Sequence, residues 1–312
     1  MSKNIRLILS EDRIGFVDVG ASGGLGPRWQ QVADQLDYFM FEPDQRSYEG
    51  LQRTREPNRH IFPVALSDRP GERKFFLCRK PQVSSYYPPN KKFLAHFRDG
   101  DRFDVIDETV LKADTLDNCL SAHRESIDFL KLDTQGSEFD ILKGGRQILD
   151  TSLIGLEVEV EFCLMYEGQP LFGDVCKYLS ERGFEFFDFV NIYRWRREES
   201  DTLFGQCVFA DALYLIPPEA LYRMLKGRPA DDPSANRKVR KYLAILAIYD
   251  RVDLMPVCLE LFADFLSESQ KASVRTVYTA MLRKRKWTTL VSYWAWRSMN
   301  LFGYKPFPVQ LR

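Results

Sequence analysis

The chain has 312 residues, with 44 basic and 44 acidic side chains and a formal net charge of zero at neutral pH. Its 45% apolar and 28% charged residues are the composition of a globular protein, not of a disordered or fibrous one. The six cysteines never occur as C-x-x-C and no run of roughly eighteen uncharged apolar residues is present, which argues against a disulfide scaffold, a zinc site and a membrane span.

Ile14–Val17 is an apolar stretch followed by Asp18-Val19-Gly20-Ala21-Ser22-Gly23-Gly24, with the strand read over Ile14–Val19. It reads as a buried strand that ends in a sharp turn, where the missing Cβ lets a ligand approach the backbone. Pro27–Leu36 reads as the next helix and Tyr38–Glu42 as a second strand ending in an acid. That acid is placed to accept hydrogen bonds from ribose hydroxyls. The glycines at 20, 23, 24 and 26 do not fit the G-x-G-x-x-G register that cradles a pyrophosphate. Asp18 would repel a pyrophosphate but suits the amino group or sulfonium of S-adenosyl-L-methionine. The residues therefore favour that cofactor, with Asp18, Gly20, Ala21, Gly23 and Glu42 around it, over a nicotinamide.

Further along, Gln45–Thr54 reads as a helix, Ile61–Ala65 as a strand and Phe75–Leu77 as a short edge strand. Residues 81–103, rich in Pro, Ser, Tyr, Phe and Lys, read as a mobile loop or lid. From it Ser84, Ser85, Tyr86, Tyr87, His96 and Arg98 could reach an acceptor. Tyr87 and Lys91 share a dehydrogenase-like spacing, but Pro88-Pro89 between them prevents a common helical face. Ile127–Leu132 is a strand delivering Asp133 to the same edge as Asp18 and Glu42, followed by a helix over Glu138–Leu149. The strand Ile154–Val160 sets Glu157, Glu159 and Glu161 on one face. Packed like charges would raise one another's pKa and make a base or a cation site. For Glu157 and Glu161 a polar side that faces solvent or pairs with Arg and Lys is preferred, whereas Glu159 is evenly balanced; no metal is required. The helix Leu171–Arg182, with Gly183 past its end, and the strands Phe184–Phe189 and Ala212–Leu215 complete an α/β alternation.

Several ordered blocks resemble the FkbM-type S-adenosylmethionine-dependent methyltransferases. They are Phe16–Ala21, Phe41-Glu42-Pro43, Val64–Asp68 with Gly71, Leu116-Asp117, Ile127–Glu138 and Gln169–Phe172. The resemblance covers roughly residues 14–215. It implies a Rossmann-like, seven-stranded, mostly parallel sheet whose last strand is antiparallel, and methyl transfer, commonly to a hydroxyl oxygen. It also implies that Ser67 and Asp68 lie near the adenine and that Asp133 faces the methyl group. A hydroxyl acceptor needs a general base, for which Asp133 is the first choice and Glu159 the second.

The expected domains are 1–218, the methyltransferase domain, and 219–312, an all-α appendage with helices near 237–249, 254–267 and 273–286 and an extended turn over Arg228–Asn236. Residues 271–312 carry nine Lys or Arg and no Asp or Glu, with Trp287, Tyr293, Trp294, Trp296, Phe302, Tyr304 and Phe307 among them. Docking on the acidic body is the plain reading; peripheral contact with an anionic membrane is the alternative, and nucleic acid is not expected. No signal peptide is read, and the expected location is the cytoplasm. The expected acceptor is a glycan or other small molecule. The competing function is a non-catalytic nucleoside-binding module that uses its tail for assembly, self-association included.

Overall fold

The computed structural model describes residues 2–21, 24–43, 45–52, 58–197 and 205–301; of these, 2–4, 45–47 and 286–301 are described by their backbone alone. Gly23 and the aromatics Phe302, Tyr304 and Phe307 lie outside the described residues, as do the side chains of Trp287, Tyr293, Trp294 and Trp296. In chain order the first elements are α1 (Ser2–Leu9), β1 (Ile14–Val19), α2 (Pro27–Gln30), β2 (Leu36–Phe41), α3 (Gln45–Gln52), β3 (Arg59–Phe62), β4 (Ala65–Leu66), β5 (Gly71–Cys78) and α4 (Lys91–Leu94). Then come β6 (Val105–Asp114), α5 (Leu116–Cys119), β7 (Phe129–Leu132), α6 (Glu138–Gly144), α7 (Arg146–Thr151), β8 (Gly155–Glu161), α8 (Phe172–Ser180), β9 (Glu185–Trp195) and β10 (Gln206–Leu215). Four helices follow: α9 (Pro218–Leu225), α10 (Pro233–Ile248), α11 (Leu254–Leu261) and α12 (Glu268–Leu301).

Residues Glu11–Lys226 form one compact unit. Its main sheet runs β3-β2-β1-β7-β8-β10-β9, parallel except for β10, which is antiparallel to both neighbours. β1 is buried along its whole length, as a central parallel strand covered on both faces must be. Ile14, Phe16, Val17 and Val19 fill that core and Asp18 is the polar exception. A second sheet, β4-β6-β5, holds the antiparallel pair β5–β6 with β4 parallel to β6.

Several expectations need correcting. The strand read over Ile61–Ala65 is split: β3 joins the main sheet and β4 the small one, with Pro63, which has no N–H for a ladder, between them. The helix read over Pro27–Leu36 is a single turn plus a 3-10 turn at Ala33–Gln35, because Leu36 is taken by β2 to pair with Ile14. Residues 81–103 are not an open loop. Val83, Leu94, Phe97 and Phe103 pack with Cys78, Met165, Tyr166 and Val208 in a core of their own, and Asn90 caps α4 by accepting from Phe93 N at 3.2 Å. β9 and β10 are longer than read, and together they form a hairpin reaching beyond the end of β8.

The other unit is Met1–Ser10 with Gly227–Arg312. Here α1 packs against α10 and α12, burying Ile5, Ile8 and Leu9, while Arg240 Nη1 donates to Leu9 O at 2.7 Å. α10 starts inside the stretch read as an extended turn, with Asp232 accepting from Ser234 N at 2.8 Å and Pro233 in its first turn. Among the described residues no helix is long and apolar enough to cross a membrane.

Candidate active site

The sheet order reverses between β1 and β7: β2 and β3 lie on one side, β8 and the hairpin on the other. Ligands in open α/β sheets bind in the crevice at the carboxyl ends of strands at such a switch point. Here the strand ends are laced together. Gly20 N donates to Phe41 O at 3.2 Å and Asp133 N donates to Val19 O at 3.1 Å. Gly20 has φ +85°, and a Cβ there would lie 2.0 Å from Asp133 O, so only glycine fits where β1 hands over to the turn.

A cavity of about 1190 Å³ opens at this edge. The strand ends contribute Gly20, Glu42, Asp133 and Glu159; the turn contributes Gly24 and Gly26. The small sheet supplies Phe75, Leu77, Thr109 and Leu111, and the β9–β10 hairpin supplies Tyr193, Trp195 and Phe209. One drug-sized ligand typically occupies a pocket of about 300–1,000 Å³, so this volume accommodates a nucleoside cofactor and a second molecule.

Of the residues expected around a cofactor, Gly20, Glu42 and Asp133 share this cavity, and Gly24 lines it although it was not singled out. Asp18 does not open onto it. Its buried carboxylate accepts from Tyr38 OH at 2.7 Å and from Lys131 Nζ at 3.4 Å. Burial holds Asp18 above the usual carboxylate range, against the opposing pull of Lys131 and Tyr38. Lys131 is also 3.5 Å from Asp133, so it bridges the two acids, and their charge with that of Glu157 outweighs its desolvation and raises its pKa. Ala21 is buried beside the turn, outside the cavity lining. Ser67 and Asp68 also fall outside the lining, which is made instead by Val64, Ala65 and Leu66; Arg73 donates to Ser67 Oγ at 3.0 Å and to Asp68 Oδ1 at 2.8 Å.

The acceptor candidates scatter. Ser84 and Tyr86 line the cavity, and the buried Tyr86 hydroxyl has no hydrogen-bond partner among the described residues. Tyr87 is outside the lining and donates to Asp140 Oδ2 at 2.7 Å. His96 and Arg98 are exposed on either side of the buried Phe97 and are not part of the cavity. Ser85 serves the backbone: its hydroxyl donates to Gln135 O at 2.7 Å.

Gln135 is the residue that sequence reasoning missed. It sits in the left-handed region at φ +60°, next to Gly136 at φ +101°. Glu138 clamps this turn: its carboxylate accepts from Thr134 N at 2.6 Å and from Gly136 N at 2.9 Å. So held, Gln135 Nε2 donates to Glu159 Oε1 at 2.8 Å and lies 3.4 Å from Asp133 Oδ1. A non-glycine residue kept in this conformation by its surroundings is a recurrent property of functional sites. The T-Q-G-S-E sequence marks a turn, but no periodicity reveals which way its glutamine points.

The solvent-facing role preferred for Glu161 is also corrected. Glu138, Glu159 and Glu161 are 2%, 4% and 3% exposed, with carboxylate oxygens within 4.8 Å of one another. Among the described residues this trio has the spacing to hold a metal ion, although Glu138 already spends its oxygens on backbone amides. Burial raises the pKa of all three: Glu138 to about 7, Glu159 further pushed by Asp133, Glu161 and Glu138, and Glu161 by Glu138. Groups that bind protons more tightly folded than unfolded make stability fall as pH rises through their folded pKa values. The melting temperature is therefore expected to drop between pH 5 and 7, above the ordinary glutamate value and up to the folded value of Glu138. Glu161→Gln should flatten that drop, because it removes one of the carboxyls whose proton affinity burial raises. Scanning calorimetry at both pH values checks this, and an unchanged slope in the variant would refute it.

Residues 18–186 match the Methyltransferase FkbM domain family. A 2-O-methyltransferase from Sinorhizobium fredii, NoeI, is 30% identical over 164 residues, which is 49% of this chain and 66% of that protein, just short of two thirds of its length. Among solved structures, magnesium protoporphyrin IX methyltransferase from Synechocystis PCC 6803 aligns over 69% of this chain and 78% of its own, at 8% identity and a TM-score of 0.34. The 16S rRNA (adenine(1408)-N(1))-methyltransferase from Catenulisporales acidiphilia aligns over 69% and 93% respectively, at 12% identity and a TM-score of 0.33.

Proposed function

This chain belongs to the FkbM methyltransferase family, and from that premise we propose that it transfers the methyl group of S-adenosylmethionine to a hydroxyl oxygen of a saccharide-like acceptor. The observation that carries the reading is the convergence of Gly20, Glu42, Asp133 and Glu159 on one cavity at the carboxyl edge of the sheet. The 2-O-methyltransferase relative supports the choice of a hydroxyl. The residues present suit the cofactor: a backbone cradle at Gly20 that no Cβ obstructs, and the Glu42 carboxylate in the wall beside it.

S-adenosylmethionine supplies a methyl group already activated by its sulfonium, which leaves positioning and proton removal to the protein. Glu42, in the cavity wall, would hold the cofactor by accepting hydrogen bonds from its ribose hydroxyls. Glu159, more basic than an ordinary carboxylate and opening onto the cavity, takes the proton from the acceptor hydroxyl. Gln135 fixes the Glu159 carboxylate by donating to it, and Asp133, braced by Lys131, offers the second carboxylate of the pair.

Calorimetry with S-adenosylhomocysteine, followed by label transfer from S-adenosylmethionine to oligosaccharides, tests the reading. Absence of S-adenosylhomocysteine binding would sink it, and binding without transfer to any acceptor would mark a non-catalytic module. Glu42→Ala is expected to weaken S-adenosylhomocysteine binding by at least about tenfold, since a hydrogen bond to a charged group contributes about 1.5–3 kcal/mol. Unchanged affinity in that variant would remove Glu42 from the cofactor site.

A further inference from the structure

We infer that the far wall of the cavity is an anion subsite, and that the acceptor is an acidic saccharide whose carboxylate or phosphate docks on Arg102 and Lys80; this rests on the methyl-transfer reading above. Both cations line the cavity, and Lys80 N donates to Arg102 O at 3.0 Å, which fixes the two side by side. The neighbouring Arg79 already takes both nearby acids, Asp101 and Asp104, at 3.0 Å each. Lys131, the other cation in the lining, is held by Asp18 and Asp133. Among the described residues no carboxylate pairs with Lys80 or Arg102.

Arg102 is pre-oriented. Its guanidinium lies 4.6 Å from the centre of the Trp195 ring and 5.1 Å from that of Phe103. Its Nε is buried with no hydrogen-bond partner among the described residues, and buried donors normally have one. A planar fork held in this way matches a carboxylate or a phosphate.

The strand register sets the distance from the methylation point. Glu159 pairs with Asp211, which pairs with Asn191. Trp195 lies further along β9 on the same face, about 13 Å beyond Asn191 at roughly 3.3 Å per residue. That span exceeds one pyranose ring, so the acceptor is extended and its charge is remote from the methylated hydroxyl. Tyr193 and Phe209, stacked with centroids 4.3 Å apart, line the interval and offer apolar faces to the intervening sugars.

The test titrates the full-length protein, saturated with S-adenosylhomocysteine, with tetragalacturonate, its neutral methyl ester and a phosphorylated maltotetraose. Both anionic sugars should bind at least about tenfold tighter than the ester, with affinity falling as salt rises. The stronger of the two identifies the source of the charge. Arg102→Met should abolish the discrimination while leaving S-adenosylhomocysteine affinity unchanged. Lys80→Met, at an exposed position, should reduce it several-fold and covers the case in which loss of the Arg102 stack disturbs folding. Equal binding of ester and acid, no binding of either anion, or discrimination intact in both variants would overturn the proposal. Weakened S-adenosylhomocysteine binding in Arg102→Met would also overturn it, by assigning that cation to the cofactor's own carboxylate. Failure of the unmodified protein to bind S-adenosylhomocysteine would instead count against the methyl-transfer reading.

Discussion

Glu159→Gln is expected to lower kcat by about 10²- to 10⁴-fold while leaving S-adenosylhomocysteine affinity within about twofold, the range associated with losing a positioned general base. In barrier height that is about 3–5 kcal/mol. The substitution is nearly isosteric, and the amide oxygen can still accept from Gln135 Nε2, now at 2.8 Å from Glu159 Oε1, so the loss reports proton removal more than geometry. The pH profile gives a second readout. A base works deprotonated, and burial with Asp133, Glu161 and Glu138 around it lifts the proton affinity of Glu159. Activity should therefore rise with pH along a limb above the ordinary carboxylate range, and that limb should vanish in the variant. A full rate in Glu159→Gln, or the same limb in both proteins, would shift the role to Asp133 and make Asp133→Asn the inactive form.

Gly20→Ala should be the most disruptive single-methyl change in the cavity wall. The added carbon would sit 2.0 Å from Asp133 O at a backbone φ of +85°, so β1 and β7 would have to part at their ends. A destabilisation of about 3 kcal/mol or more is expected from strain and a displaced strand end. In a domain of this size that lowers the melting temperature by roughly 6–12 °C. S-adenosylhomocysteine binding should fall at least about 100-fold, because Asp133 and the turn move together. Gly24→Ala is the control: its φ is +67°, but among the described residues no atom beyond its chain neighbours lies within 4 Å of the added carbon. It should cost only about 1 kcal/mol. If the two variants melt together, the close approach at Gly20 is not what holds the site.

Much of the candidate site's edge was legible because its signals are local. An apolar run, a glycine turn and an acid at the next strand end announce β1, Gly20 and Glu42 without any knowledge of the partners. Asp133 follows from alternation along Phe129–Leu132. What stayed hidden depends on contacts far apart in sequence. Two-residue periodicity puts Glu159 and Glu161 on one face, but whether that face meets water is decided by what packs over it: Gln135 and Glu138 from beyond β7, and Gln169. Asp18 looked like a ligand group because of its position before the turn. In the fold its partners are Tyr38 and Lys131, from the strands on either side. β6 escaped notice because its apolar residues do not all turn inward: Ile106 and Val110 are 68% and 58% exposed. The outer halves of β9 and β10 mix aromatic, polar and basic residues, a pattern that reads as loop until it is seen lining a cavity.

The placement of α1 bears on how the chain is made. Its buried Ile5, Ile8 and Leu9 find their partners on α10 and α12, which are synthesised only after the whole sheet unit. At about 5–20 residues per second, that greasy helix waits on the order of 10–50 s before its cover emerges from the ribosome. Through that interval the nascent chain exposes this adhesive helix, a natural point of contact for chaperones. A fragment beginning at Glu11 would be spared it, whereas one merely stopped at Lys226 would keep the sticky helix indefinitely.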